Sequence, residues 1–529
     1  MNDGNSENSI YNTLNKWQNL KLDLVLEGIC IGALTGFIIV LYRLSIERLG
    51  EFTKRLYTIQ RHNYWYIAAW IIVLIILAYF VGTLVKREPM ISGSGIPQTE
   101  GVLLRHLNMN WLSVIISKFI GGIISLGAGL SLGREGPSIQ IGAAVGQGFS
   151  RIFKRASVEE KFLITSGASA GLSSAFNAPL AGVIFSLEEI HKNFSPLILL
   201  SAMSSALTAD FVSKEFFGLN PIFDFHKLSP LALNNYFYLI MLGVILGVLG
   251  VAFNVSLLKS LKIYDSITWL KTETKPIIPF VLAGILALVM PQVLGGGNEL
   301  ILSLINSNFT IGTLIVLVIV KFVFTMISYG SGAPGGIFLP LLAIGALIGC
   351  IFGNAAVLIF HMNSVYINNF IILGMAGYFT AIVRSPITGS ILITEMTGSF
   401  SHLLSLTIVS IVAYIVADAM GSKPVYEALL DRILINKQKD SSKEENTRKV
   451  ILEIPVSMGS ILEDKKIKEI KWPKSCLLVG IKRGVKEIIP KGNTSIYAGD
   501  YLTVLVDEDK SIDIRNKLLE YGDCSSINK

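Results

Sequence analysis

The sequence predicts an all-α polytopic membrane protein with a small α+β domain at its C-terminal end. Three observations lead there. The 529-residue chain is 51% apolar and only 16% charged, against about 25% charged in an ordinary globular protein. Its mean hydropathy is +0.58. Its charge is also unevenly placed: Asn436–Lys529 holds 18 Lys/Arg and 15 Asp/Glu, so 33 of 83 charges fall in 94 residues. This break divides the chain into a polar segment 1–20, an apolar body 21–433, a linker 434–449 and a soluble module 450–522.

Several classes are excluded early. The net charge is +7, and the tail is only slightly basic, so nucleic acid is not an expected partner. Cys30, Cys350, Cys476 and Cys524 are far apart and without CxxC or histidine pairing, which argues against a disulfide framework, a zinc site or another metal cofactor. Met1–Gln18 is polar and mixed in charge, unlike a cleavable signal peptide.

A membrane-crossing helix needs about 20 largely apolar residues. Leu22–Leu49, Tyr66–Val85, Tyr236–Leu258, Ile277–Val293, Ile311–Ser328 and Leu403–Met420 meet that requirement. Trp111–Leu126, Ile139–Phe149, Phe162–Leu187 and Ile337–Ile351 are too short or are cut by Gly and Pro. Such pieces suit broken or re-entrant helices, which are tolerated where protein or a watery cavity covers the freed backbone groups.

The body repeats itself. A shift of 203 carries Lys118-Phe119 onto Lys321-Phe322, and Gly127, Gly129, Gly133, Pro137, Gly142 and Gly146 onto Gly330, Gly332, Gly336, Pro340, Gly345 and Gly349. A shift of 207 carries Gly167, Pro179, Gly182, Ile184 and Glu188 onto Gly374, Pro386, Gly389, Ile391 and Glu395. Two related halves follow, about 21–216 and 233–432. Basic clusters at Arg151–Lys161 and after Lys423 favour a cytoplasmic side for both and for the tail. The equally basic Arg43–Arg61 falls opposite if one helix separates it from the N-terminus. In the tail, Ser475–Lys482, Val485–Ile489 and Tyr501–Val506 read as strands between the turns Arg483-Gly484 and Gly499-Asp500, and Ser511–Leu519 has helical spacing.

Three glycine-rich motifs stand at expected helix starts: Gly93-Ser94-Gly95-Ile96-Pro97, Gly133-Arg134-Glu135-Gly136-Pro137 and Gly335-Gly336-Ile337-Phe338-Leu339-Pro340. One such motif by itself marks a helix break. Three together, two of them related by the repeat, point to a ligand. A helix N-terminus presents free N–H groups and about half a positive charge. At about 4 Å that half charge attracts a unit anion by roughly 2 kcal/mol at an effective dielectric near 20. Several such ends give millimolar-type binding, about −4 kcal/mol, weak enough for release. Glu135, an ionisable group in apolar surroundings, reads as a tethered competitor of the anion whose protonation frees the site. Glu188-Glu189 is a second candidate, with an interfacial helix end as the plainer reading. Arg134 reads as an ion-pair residue.

These motifs, with Asn177-Ala178-Pro179-Leu180-Ala181-Gly182 and Lys423-Pro424-Val425-Tyr426, closely resemble the CLC family of chloride channels and chloride/proton exchangers over about Lys21–Arg432. The resemblance implies two inverted halves per subunit in the cell membrane, and a homodimer with one pore in each subunit. It implies that Ser94, Tyr426 and the N–H groups of Ile337 and Phe338 bind the anion, that Glu135 is the gating and outer proton-transfer residue, and that Glu189 is the inner proton-transfer residue. Both acids together favour proton-coupled exchange, with chloride and protons as cargo and no cofactor, over passive conduction. The tail resembles instead an RCK C-terminal (TrkA-C) module, through Gly459-Ser460, Ile488-Ile489-Pro490, Gly492 and Gly499-Asp500, and implies control by a small effector or by tail dimerisation. Two other classes have less behind them. A potassium channel or uptake subunit lacks a TVGYG-like filter. An intramembrane hydrolase using Ser94, the one enzymatic reading, lacks a paired histidine motif.

Overall fold

A computed structural model of the chain describes residues 4–60, 64–223, 228–306, 309–441, 449–473, 476–484, 486–507 and 511–522. Arg61, most of the expected linker (442–448), Ser475, Val485 and Cys524 lie outside the described residues. The chain forms two compact units, Met1–Arg432 and Ile433–Lys529.

The first half of the larger unit contains α1 (Gly4–Gln60), α2 (Tyr64–Arg87), α3 (Ile96–Leu103), α4 (Trp111–Gly127), α5 (Glu135–Ile152), α6 (Ser157–Phe176), α7 (Pro179–Phe185) and α8 (Pro196–Phe217). The second contains α9 (Tyr236–Ser266), α10 (Ile277–Val289), α11 (Asn298–Asn306), α12 (Ile311–Gly330), α13 (Phe338–Phe360), α14 (Ile367–Val383), α15 (Pro386–Thr397), α16 (Leu403–Ala419) and α17 (Val425–Ser441). Among the described residues, eight helices are long and apolar enough to cross a membrane. The polar segment expected at 1–20 is helical from Gly4, and the expected linker begins as the last turns of α17.

Three of these spans escaped the sequence pattern: α13, expected as a broken piece at Ile337–Ile351 because of its Gly and Pro, forms one helix to Phe360, and α8 and α14 were not singled out. Their windows have the lowest hydropathy of the eight, 1.4, and that containing α14 is 78% enclosed by protein. α14, shielded from lipid, has no need of a continuous apolar surface, whereas α8 loses its apolar signal to Ser201, Ser205, Asp210 and Ser213, which it buries against its neighbours. α10 stops at Val289 because Pro291 begins a separate 3-10 turn.

The repeat is visible atom by atom. α5 packs on α6 as α13 packs on α14. The crossing points are Gly142 with Gly167 and Gly345 with Gly374, where an added β-carbon would enter the facing backbone, so helix axes approach as only small residues permit. α6 ends at Asn177 (φ 52°) and α14 at Arg384 (φ 72°), both left-handed, and each is followed by a proline-started helix. Gly133 N–H donates to Gly336 O at 2.6 Å, and Gly336 N–H donates to Gly133 O at 2.7 Å. Equivalent residues that exchange hydrogen bonds lie on a local two-fold axis between the halves.

The smaller unit is an antiparallel sheet in the order β1-β4-β2-β3, with strands β1 (Lys449–Pro455), β2 (Cys476–Arg483), β3 (Lys486–Ile488) and β4 (Asp500–Asp507) and the helix α18 (Ser511–Gly522). Alternation along β4 buries Leu502, Val504 and Val506 with Ile454, Ile481, Ile514 and Leu518. β1 lies where the sequence pattern assigned no element. Arg483, expected in a turn, closes β2 and clamps Asp500 with two hydrogen bonds of 2.8 Å.

Candidate functional site

Three interrupted helices begin at one place. α3 starts after Gly95, whose φ of +91° is the left-handed turn glycine permits, and Pro97 occupies its first turn. Ser94 is buried, and its Oγ accepts from Ile96 N–H at 3.2 Å. α5 starts at Glu135, and α13 starts at Phe338 with Ile337 as its N-cap. A β-carbon at Gly136 would lie 3.0 Å from Ser94 Oγ, and one at Gly336 would lie 3.1 Å from Gly136 N. The starts of α3, α5 and α13 therefore meet across both halves.

Buried lysines hold two equivalent loops, one before α3 and one before α11. Lys118 of α4 donates to Ile91 O at 2.8 Å and Gly93 O at 2.7 Å. Lys321 of α12, its repeat partner, donates to Val293 O at 2.9 Å and Gly295 O at 2.6 Å. Each ammonium satisfies two carbonyls of the loop it holds.

Glu135 is fully buried. Its carboxylate stands against its own amide and that of Leu339 in the first turn of α13, and neither oxygen has a close hydrogen-bond partner among the described residues. An acid from one half thus occupies the anion-attracting end of a helix from the other. Arg134 turns away and donates to Glu47 at 3.1 Å. A cavity of about 730 Å³, lined by Glu47, Thr53, Arg134, Asn298 and Leu339 among others, opens beside this point. Its walls come from distant stretches of chain, which is why no local pattern announces it.

Aromatic packing brings in the remaining residues. Phe185 packs edge-on against Phe338 at 5.8 Å and against Tyr426 at 6.3 Å. Tyr426 is buried, its hydroxyl has no hydrogen-bond partner among the described residues, and Glu135, Glu189 and Tyr329 lie within its electrostatic range. Tyr329, which no sequence motif singled out, sets its hydroxyl against the Ser94 backbone amide.

Glu188 and Glu189 have different environments. Both sit on a π-helical turn, Ser186–Ile190, that continues α7. Glu188 accepts from the N–H of Ile387 (3.3 Å) and Thr388 (2.8 Å) and from the Thr388 hydroxyl (2.6 Å), capping α15. Glu189 is buried, takes one hydrogen bond from Ser385 Oγ at 2.9 Å, and its Oε1 has no partner among the described residues. Adjacency in sequence hides this division, because the π turn and the Ser385–Thr388 segment that separate the two are tertiary features.

Broken helices converging on a buried carboxylate within a two-fold repeat make this an ion-translocating membrane protein by architecture. The chain belongs to the voltage-gated chloride channel (CLC) family: the profile described as "Voltage gated chloride channel" matches residues 77–418, and a TrkA-C domain matches residues 451–519. It is similar to the H(+)/Cl(-) exchange transporter ClcA of Klebsiella pneumoniae (strain 342), 35% identical over 436 residues, which cover 80% of this chain and 91% of the relative. The protein of the same name from Salmonella arizonae (strain ATCC BAA-731 / CDC346-86 / RSK2980) is 35% identical over 428 residues, covering 78% and 89%. Among solved structures, a slow cyanobacterial Cl−/H+ antiporter superposes with a TM-score of 0.75 at 33% identity, covering 78% of this chain and 99% of that one. A eukaryotic CLC transporter, at 23% identity and a TM-score of 0.67, covering 78% of this chain and 74% of its own, shares the fold.

Proposed function

We propose that the chain is a proton-coupled chloride antiporter, in which chloride and a proton cross the membrane in opposite directions through one set of residues. The observation that carries this reading is the buried Glu135 carboxylate set against the Leu339 amide at the start of α13. A helix start that attracts a carboxylate also attracts chloride. Ionised Glu135 and chloride compete for the spot, and a proton on Glu135 removes the competitor. In this reading the N–H groups of Ile337 and Phe338 with the hydroxyls of Ser94 and Tyr426 hold the anion, and Glu189 passes the proton to and from the inner side.

Relatives named as exchange transporters support coupled exchange over passive conduction, as does the presence of both acids. We further propose a cell-membrane homodimer with one pore in each subunit, and a TrkA-C domain on the cytoplasmic side that binds a small effector.

The deciding experiment uses the purified chain in vesicles with an imposed chloride gradient and no proton gradient. Uphill proton movement that collapses when the chloride gradient is removed is the expected result. Chloride flux with no proton movement overturns the antiporter reading in favour of a channel.

A further inference from the structure

Lys192 has a geometry that the exchange reading leaves unused. It follows the π-helical turn that carries Glu189, and its backbone is left-handed at φ 53°, a conformation that costs a non-glycine residue about 1–2 kcal/mol. Its ammonium reaches a buried carboxylate, Glu100 of α3, at 2.7 Å, and Glu427 of α17 at 4.0 Å. Glu100 is only 3% exposed and its Oε2 has no hydrogen-bond partner among the described residues. α3 follows Ser94, and Glu427 follows Tyr426. One ammonium therefore ties together the three segments that bear Ser94, Glu189 and Tyr426.

We propose that Lys192 is a positioning residue for the inner proton transfer: by neutralising Glu100 beside Glu189, it sets the pH range over which Glu189 exchanges its proton. This inference rests on the assignment of Glu189 as the inner proton-transfer residue. The charged and titratable groups facing Glu189 are Glu188 on its own turn, Lys192 just after that turn, Glu100 on α3, and Tyr426 on α17. Glu427 and Asp431 act on Glu100 in turn, and Asp431 is itself paired with Lys423 at 2.9 Å. His191 is engaged with the Thr165 hydroxyl at 2.8 Å. Among the described residues, Lys192 is thus the one cation found to act on Glu189. Without it, two buried carboxylates face each other and a proton on either is favoured.

The test is proton uptake driven by a chloride gradient in vesicles, measured as a function of pH for the full chain. Lys192→Met is expected to raise the pH of half-maximal proton uptake by about one unit. Lys192→Arg is expected to keep the wild-type profile, and the double change Glu100→Gln/Lys192→Met to return it. An unmoved Lys192→Met profile, or a shift that neither companion corrects, overturns the inference. Should Lys192→Met fail to fold, Glu100→Gln decides: its midpoint is expected to move down, and an unmoved or raised midpoint overturns the inference. Glu189→Gln, measured alongside, separates the two levels. Coupling that survives Glu189→Gln overturns the inner-site assignment and this inference with it. Loss of coupling in Glu189→Gln with an unmoved Lys192→Met profile overturns this inference alone.

Discussion

Glu188 and Glu395 are reciprocal caps: each carboxylate closes the N-terminus of the proline-started helix in the opposite half. Glu395 accepts from Leu180 N–H at 3.1 Å and Ala181 N–H at 2.8 Å, as Glu188 does from Ile387 and Thr388. Proline supplies no N–H at the first position, so the next two donors of each helix are the ones satisfied. Replacing either acid with alanine is expected to cost about 1–2 kcal/mol, with Glu188 the more costly because it also holds the Thr388 hydroxyl. Thermal unfolding in detergent checks this, and an unchanged midpoint for both variants contradicts the clasp.

Under the proposed exchange, Glu135→Ala removes the anion's competitor and its proton acceptor together. Chloride flux into vesicles is expected to persist while proton movement falls to background. A variant that still pumps protons rules out Glu135 as the outer proton carrier.

Lys118 and Lys321 make equivalent bonds, yet only Lys118 holds the loop bearing Ser94. Lys118→Met leaves the Ile91 carbonyl unpaired in a buried setting, at about 1–3 kcal/mol for the orphaned group, and takes one of two donors from Gly93 O, which keeps Gly335 N–H at 3.0 Å. Chloride affinity, read by titration calorimetry, is expected to weaken several-fold in Lys118→Met and to change much less in Lys321→Met. Equal losses in the two variants speak against a local effect on Ser94.

The tail gives a prediction with a defined sign in pH. Burial works against the Asp500 carboxylate, but the Arg483 guanidinium and the Tyr497 N–H outweigh it and hold its pKa below the usual 3.8. A group depressed on folding binds fewer protons when folded. Its stabilisation is complete above the unfolded value and is lost as pH falls through the folded one. Amide exchange across β2 and β4 in the full chain is therefore expected to be slow at pH 5 and to accelerate below pH 3.8. Arg483→Ala is expected to remove that acid-sensitive part. An identical acid response in Arg483→Ala refutes the linkage.

The features legible in sequence were those carried by backbone chemistry. Gly95 and Pro97 announce the start of α3, and the matched glycines of the two halves announce the repeat. Five spans, α1, α2, α9, α12 and α16, were readable because lipid demands apolar residues. By contrast, α8 and α14 carry buried polar and small residues that dilute the pattern, and α13 begins in the Gly/Pro motif that reads as a break. The different environments of Glu188 and Glu189 depend on where Ser385 and Thr388 fold back, some 200 residues along the chain. Tyr329, Lys192 and the cavity beside Arg134 were hidden for the same reason. Each is defined by what it meets across elements, and no spacing along the chain records such a meeting.

The seam between Gly133 and Gly336 is made of main-chain atoms alone. A methyl group on Gly133 would collide with the Glu135 carboxylate, and one on Gly336 would crowd the Gly136 amide. Neither half can therefore be remodelled at this joint without disturbing Glu135 or the start of α5. New ion preferences in such a scaffold must be written in the surrounding side chains, with the hinge line left as it is.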